Sequence, residues 1–177
     1  MARNKTKDTS TSVDEQEAYG GDSIEAEYQG MDDFDVEEEF TPTPLIANGF
    51  YNAAVTEVRF NSEDKTIDWT FTLNENGGVM SDGETPIDGS AHTYRNWLPK
   101  PGDEEEMTKK GNQTKRQAKI NMLHDFAEAM KIKMDNPKQI LESIANSDWI
   151  GAAAQVKMEA RTWDNRTFNN IARVSAA

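Results

Sequence analysis

Alternating hydrophobic and polar residues predict five β-strands in this chain. The clearest alternation lies in residues 66–73, where large apolar side chains recur at every second position and so share one face of a strand. These side chains are Ile67, Trp69, Phe71 and Leu73. Less regular patterns predict further strands over residues 50–60, 91–98, 149–161 and 166–174. Asp164-Asn165 has the composition of a hairpin turn between the last two strands.

Two of these strands end with an arginine two residues before a tryptophan. Either face of the third strand could point inward from its pattern alone. We prefer Tyr94 inward, which places Arg95 and Trp97 on the outer face. Arg161 and Trp163 lie on the polar face of the fourth strand and just beyond it. Each pair sets a guanidinium beside an indole, although either tryptophan could instead cover an end of the sheet.

A period of 3.6 residues predicts a helix over residues 112–131. Its apolar positions are Ile120, Leu123, Phe126, Ala127 and Met130. Three cations, Lys115, Arg116 and Lys119, lie near its start, where the helix dipole favours carboxylates instead. We interpret their position as a sign of a role other than stabilising the helix. The alternative is a basic helix face that is simply exposed to solvent. Asp135-Asn136-Pro137 predicts the start of a second, short helix reaching residue 145.

The order of these elements predicts a mainly β fold with a helical insertion, in the α+β class. Five short strands with helices between the third and the fourth match a five-stranded OB-like barrel. That barrel is a partly open Greek key that binds oligonucleotides on its second and third strands and adjoining loops. The competing fold is a small β-sandwich with an inserted helical hairpin.

Charge divides the chain into two parts. The net charge of the 177 residues is −13, but residues 1–43 hold three cations and thirteen carboxylates, so the remainder is close to neutral. We predict a disordered acidic tail over residues 1–43, followed by an OB-like domain over residues 44–177. Within the tail, an acidic and aromatic segment is a candidate partner-binding motif, or simply a solvated stretch. Its residues are Asp32, Asp33, Phe34, Asp35, Glu37, Glu38, Glu39 and Phe40.

The sequence lacks the signals that several kinds of site would require. The chain has no cysteine for a disulfide or a thiolate zinc site, no long apolar run, and no secretory signal. His92 and His124 fall on different elements, and neither a nucleophile elbow nor a Walker sequence is present. The carboxylates of residues 103–106 read as a solvated loop rather than a cation site. We therefore predict a protein that is not an enzyme and uses no cofactor or metal.

Three stretches resemble the small single-stranded DNA-binding proteins that tailed bacteriophages encode. They are LIANGFYNAAVTEV, TKKGNQTKRQAKINMLHDFAEAM and DWIGAAAQVKMEARTWDNRTFNNIARV, within residues 45–174. The resemblance implies an OB fold, a role in replication or recombination, and sequence-independent binding through a basic and aromatic groove. The acidic tail departs from this family, which commonly carries it at the C-terminus.

The predicted DNA-binding residues combine the matching positions with nearby cations. They are Arg95, Trp97, Lys100, Lys109, Lys110, Lys115, Arg116, Lys119, Lys157, Arg161, Trp163 and Arg166. Basic side chains would contact phosphates, and tryptophans would stack on bases. The expected partners are single-stranded DNA, replication or recombination proteins that bind the tail, and a second copy of the chain, all in the host-cell cytoplasm. The alternatives are a phage virion or protein-interaction component without nucleic-acid binding, and a DNA-mimic inhibitor acting through the tail.

Overall fold

The computed structural model describes residues 40–177, which contain five strands and two helices. Their bounds are β1 Gly49–Asn61, β2 Thr66–Leu73, β3 Ala91–Trp97, α1 Lys115–Met130, α2 Pro137–Ala145, β4 Ala153–Trp163 and β5 Arg166–Ala176. The prediction of a mainly β fold with helices between the third and fourth strands is confirmed. The predicted tail lies outside the described residues, apart from positions 40–43, and its boundary at residue 43 stays a prediction. Of the tail motif only Phe40 is described, and its side chain is exposed.

The strands form one antiparallel sheet in the order β3-β2-β1-β4-β5. β1 is the central strand, and its two halves pair with different neighbours: residues 49–54 with β4 and residues 53–61 with β2. Within residues 40–177 no hydrogen-bonded ladder joins β3 to β5, so the sheet is not closed into a barrel. α1 packs against both of these edge strands, which also lie close to each other without forming a ladder.

An aromatic cluster joins α1 to the sheet. The Phe126 ring lies 4.7 Å from the Trp69 ring and 5.3 Å from the Tyr94 ring, measured between centroids. Trp69 also stacks on Trp149 at 4.7 Å. Trp69 is fully buried, which confirms its prediction as a core residue. Aromatic pairs at such distances stabilise a contact beyond the burial of apolar area alone, so this cluster holds α1 against β2 and β3.

Three local differences from the predicted elements have structural causes. The fourth strand begins at Ala153 rather than residue 149, because a turn precedes it in which Gly151 has a φ of 85°. α1 begins at Lys115 rather than residue 112, because the Thr114 hydroxyl caps it by accepting a hydrogen bond from the Gln117 amide. Ile120, predicted on the apolar face, is exposed, since the buried residues of α1 lie in its second half.

Two β-bulges change which side chains face the core. In β1 the pairing shifts between Val55 and Glu57, leaving Thr56 as the extra residue. In β5 the pairing shifts after Ile171, which pairs with Met158, so that Arg173 pairs with Lys157 and Ala172 is the extra residue. A bulge reverses the inward and outward alternation beyond it. Ile171 and Val174 are therefore both buried, although they are three positions apart.

Candidate nucleic-acid interface

The β4–β5 hairpin turns at Asp164 and Asn165, whose φ angles are 49° and 60°. Positive φ at both central residues is the geometry of a type I′ turn, which suits the twist of a two-stranded hairpin and which aspartate and asparagine tolerate. The tight turn confirms the predicted hairpin. It also sets the register, because it pairs Trp163 with Arg166 and Arg161 with Phe168.

Residues paired across an antiparallel ladder project from the same face. Two arginines and two aromatic rings therefore share one face of this hairpin, which we call the hairpin face: Arg161, Trp163, Arg166 and Phe168. Each of the two aromatic residues is paired with an arginine on the opposite strand. Trp163 is 76% exposed and Phe168 is 44% exposed. Within residues 40–177 no carboxylate oxygen lies within 4 Å of either arginine, so neither charge is paired in this part of the chain.

The base of the hairpin is anchored to the segment that precedes β1. The Asn48 side-chain oxygen accepts a hydrogen bond from the Ala160 amide at 2.7 Å. The Asn169 side chain bonds both backbone groups of Ile46, at 2.8 Å and 2.9 Å. On the face opposite the hairpin face, the hydroxyls of Thr162 and Thr167 are 3.0 Å apart and bond to each other. These bonds hold the projecting part of the ribbon in a defined orientation.

The hairpin face continues onto the outer side of the sheet. The bulge at Ala172 turns Arg173 outward beside Lys157, and Lys157 in turn pairs with Phe50 of β1. Phe50 is 56% exposed, and Arg173 is exposed with no carboxylate within ion-pair distance in the described chain. Lys157 donates to Glu159 at 2.7 Å, which lowers the pKa of that carboxyl. We call the hairpin face together with Phe50, Lys157 and Arg173 the hairpin surface.

The other predicted pair, on β3, has a different electrostatic setting. Arg95 faces outward as predicted, with its guanidinium 5.7 Å from the centroid of the Trp97 ring, and Trp97 is 41% exposed. Two nitrogens of Arg95 donate to the two carboxylate oxygens of Asp68, at 2.6 Å and 2.7 Å. These bonds raise the pKa of Arg95 and neutralise its charge locally. The β3 site therefore presents an exposed indole ring, but the charge of its arginine is already partly balanced by Asp68.

Two of the basic residues at the start of α1 are paired within the chain. Lys119 donates to Asp103 at 2.6 Å, and both side chains are largely shielded from solvent. Lys115 is paired with Glu106. Asp103 also accepts a hydrogen bond from the Lys100 amide at 2.7 Å, and together with the Lys119 ammonium this lowers the pKa of its carboxyl. The interpretation of this acidic loop as simply solvated is wrong for Asp103, which is buried.

These ion pairs explain why cations occupy a helix start that the dipole disfavours. They tie the loop of residues 99–106 to the first turns of α1, where the backbone amides of Lys115 and Arg116 also donate to Glu106 and Asp103 carbonyls. The remaining predicted cations of this region differ in exposure. Lys109, Lys110 and Arg116 are exposed without an ion pair in the described chain, and Lys100 is half-buried.

The twelve predicted residues thus fall into three groups rather than one cluster. Lys157, Arg161, Trp163 and Arg166 lie on the hairpin surface, Arg95 and Trp97 on β3, and the other six around the start of α1. The register places the hairpin and the β3 pair at opposite ends of β1, since Gly49 pairs with Met158 and Asn61 with Thr66. Of the three groups, the hairpin surface combines exposed rings with unpaired arginines.

Sequence reasoning missed three residues of this surface: Phe50, Phe168 and Arg173. Phe168 could have been predicted from the sequence, because a two-residue turn at Asp164-Asn165 pairs position 168 with position 161. Arg173 could not have been predicted, because uninterrupted pairing from the same turn would set Ala172 opposite Lys157 and direct Arg173 toward the core. The bulge at Ala172 reverses this.

Other kinds of site have little support in the part of the chain that the structure describes. It contains no group of three or more histidine, aspartate or glutamate side chains placed to hold a metal ion. No helix within residues 40–177 has the length and apolar character needed to cross a membrane. His92 is half-buried, which lowers its pKa, and its ring lies 3.3 Å from the Ser90 hydroxyl.

Comparisons with models of known protein families and with the sequences of curated proteins found no match to this chain.

Proposed function

We propose that this protein binds single-stranded DNA without sequence preference, through the hairpin surface, during bacteriophage DNA replication or recombination. The observation that carries the proposal is the hairpin face, where two exposed rings alternate with two arginines that have no carboxylate partner in the described chain. Stacking on an aromatic ring contributes roughly 1–3 kcal/mol per base and accepts any base, because every base has a π face. Arginine both stacks and binds phosphate.

The local charge of this surface supports the proposal despite the acidity of the whole chain. Four cations project from it, Lys157, Arg161, Arg166 and Arg173. Two carboxylates lie nearby: Glu159, which pairs with Lys157, and Asp164 at the turn. Electrostatic attraction over a surface depends on charges within about 8–10 Å at physiological salt, the Debye length. The described part of the hairpin surface therefore has a net positive charge, although the whole sequence carries −13.

The arrangement of strands supports an OB-like fold as part of the same proposal. The order β3-β2-β1-β4-β5 lacks only a β3–β5 ladder to become a five-stranded barrel. OB barrels bind oligonucleotides on the face of strands 2 and 3 and with the loops joining strands 1 to 2 and 4 to 5. The hairpin face occupies the connection between β4 and β5, and Trp97 belongs to the face of β2 and β3. The choice of DNA, and of phage replication or recombination, comes from the resemblance in sequence.

Titration of the full chain with an unlabelled poly-dT oligonucleotide, followed by tryptophan fluorescence at two salt concentrations, tests the proposal. Trp69 and Trp149 are buried, so quenching would report Trp97 and Trp163. We expect salt-sensitive quenching in which Trp163 dominates. Trp163→Phe should lose most of the signal while keeping affinity, because phenylalanine still stacks. Trp97→Phe is the matched control and should keep most of the quenching.

The absence of both quenching and binding at low salt would contradict the proposal. A protein-interaction role would then be the better explanation, and the search would turn to a partner of the acidic motif in residues 32–40. Quenching that survives in Trp163→Phe but disappears in Trp97→Phe would retain DNA binding and move the contact to β3.

A further inference from the structure

We infer that the hairpin clamps a single unpaired base between Trp163 and Phe168, while Arg161 and Arg166 bind the neighbouring phosphates. The inference rests on the proposed function and specifies how the same surface would recognise its ligand. It assigns Phe168 to the site and defines the ligand as a nucleotide whose base is neither paired nor stacked on both sides by other bases.

The register supplies the spacing that such a clamp needs. Trp163 pairs with Arg166 and Phe168 pairs with Arg161, so the two rings are diagonal neighbours across the hairpin. The Cα atoms of diagonal residues on one face of an antiparallel pair lie about 7–8 Å apart. A base held between two rings needs about 7 Å between the ring planes, twice the rise of roughly 3.4 Å per base along a strand. The backbone spacing of the two positions is therefore close to the separation that a ring–base–ring stack needs.

The rings of Trp163 and Phe168 do not stack on each other in the structure. Ring–ring contacts in the described chain involve the core residues Trp69, Tyr94, Phe126 and Trp149, and none joins Trp163 to Phe168. Both rings retain exposed surface. On the opposite face of the hairpin, the bond between the Thr162 and Thr167 hydroxyls joins the two strands, so the separation of the strands does not depend on a ligand.

The arginines occupy the other diagonal of the same four positions. Arg161 is two residues from Trp163 along β4, and Arg166 is two residues from Phe168 along β5. A base inserted between the rings would thus have one guanidinium on each side, where the backbone of its own strand enters and leaves. Bases in a duplex are stacked and paired and cannot enter without being extruded, so the clamp would select single strands.

A double-mutant cycle on binding to an oligo-dT ligand tests the clamp. Trp163→Ala and Phe168→Ala should each weaken binding, on the order of tenfold for the loss of one stacking partner. The double variant should lose clearly less than the product of the two losses, because both rings hold the same base. Trp97→Ala combined with Phe168→Ala is the matched control. Its losses should multiply, because these residues lie at opposite ends of β1.

Multiplying losses in the Trp163 and Phe168 pair would overturn the clamp, since the two rings would then hold different bases. That result would leave the proposed function standing, whereas absent binding by the unaltered protein at low salt would overturn both. A change of oligomeric state in Trp163→Ala or Phe168→Ala without DNA would assign the rings to self-association and would also overturn the clamp.

Conservative variants separate stacking from a merely structural role. Phe168→Tyr should keep the affinity, and Phe168→Leu should lose about as much as Phe168→Ala, because leucine preserves apolar bulk without a π face. Full affinity in Phe168→Leu would refute the stacking role. Because the rings project from the core, the melting temperature should stay unchanged in all three variants, which controls for unfolding.

Discussion

Two charge-neutralising variants that change the net charge equally should differ in DNA binding: one should weaken its salt dependence and the other should leave it unchanged. One replaces Arg161 and Arg166 by glutamine, and the other replaces Lys115 and Lys119 by glutamine. Both remove two positive charges from residues that sequence reasoning assigned to DNA. They differ in structure, because the arginines have no carboxylate partner in the described chain and the lysines are bonded to Glu106 and Asp103.

The magnitude follows from counterion release. Each phosphate contact with a single strand contributes about −0.7 to the slope of log K against log salt. Losing two contacts should flatten the slope by about 1.4, so that a fourfold rise in salt weakens the arginine variant roughly sevenfold less than the unaltered protein. The lysine variant should keep the original slope. It should instead be less stable, because removal of Lys119 leaves the Asp103 carboxylate poorly solvated and unpaired.

Fluorescence anisotropy of a labelled oligo-dT at several salt concentrations measures both slopes, and urea denaturation measures both stabilities. Equal flattening in the two variants would refute the reasoning, because overall charge rather than contact at the hairpin would then govern binding. Flattening only in the lysine variant would place the phosphate contacts at the start of α1.

Three further predictions concern the fold that supports the site. Phe126→Ala should lower the free energy of unfolding by about 3–5 kcal/mol, because its buried ring joins α1 to the sheet; a loss below about 1 kcal/mol in urea denaturation would contradict this anchoring role. Asn96→Leu should leave stability unchanged or raise it by about 1 kcal/mol, since both amide atoms are buried without a partner in residues 40–177; a lower melting temperature would show that the amide is bonded. The pKa of Asp103 is lowered by its bond from Lys119. Its stabilising contribution is therefore complete above the pKa of the unfolded carboxyl and is lost as pH falls through the lowered value. Asp103→Asn should destabilise the protein at pH 7 and flatten the loss of stability below about pH 4, as urea denaturation at pH 7 and pH 3 would measure; an unchanged pH dependence would refute the assignment.

Local patterns in the sequence predicted most of the elements because secondary structure depends on neighbouring residues. The alternation of Thr66–Leu73 predicted β2 with its bounds, and the asparagine-proline start predicted α2 with its bounds. The turn at Asp164-Asn165 predicted the β4–β5 hairpin. The outward position of Arg95 and Trp97 was also predicted, although the pattern alone left either face of β3 possible.

Ion pairing could not be predicted in the same way. Lys119 and Asp103 are sixteen positions apart, and only the path of the intervening loop brings their charged groups together. The same holds for Arg95 and Asp68, which meet across a ladder. From composition alone every cation near an aromatic residue is a candidate for phosphate binding. The structure shows which cations already have a carboxylate partner.

The sequence by itself determined the elements, their order and the turn that pairs Trp163 with Arg166, because each depends on a few adjacent residues. Only the tertiary structure decided which side chains form one surface. The bulge at Ala172 turned Arg173 outward, and α1 came to pack against both edge strands, β3 and β5. Both outcomes depend on contacts between residues that are far apart in the sequence. The bulge, for example, lets Ile171 and Val174 both be buried, which regular pairing in β5 would not allow.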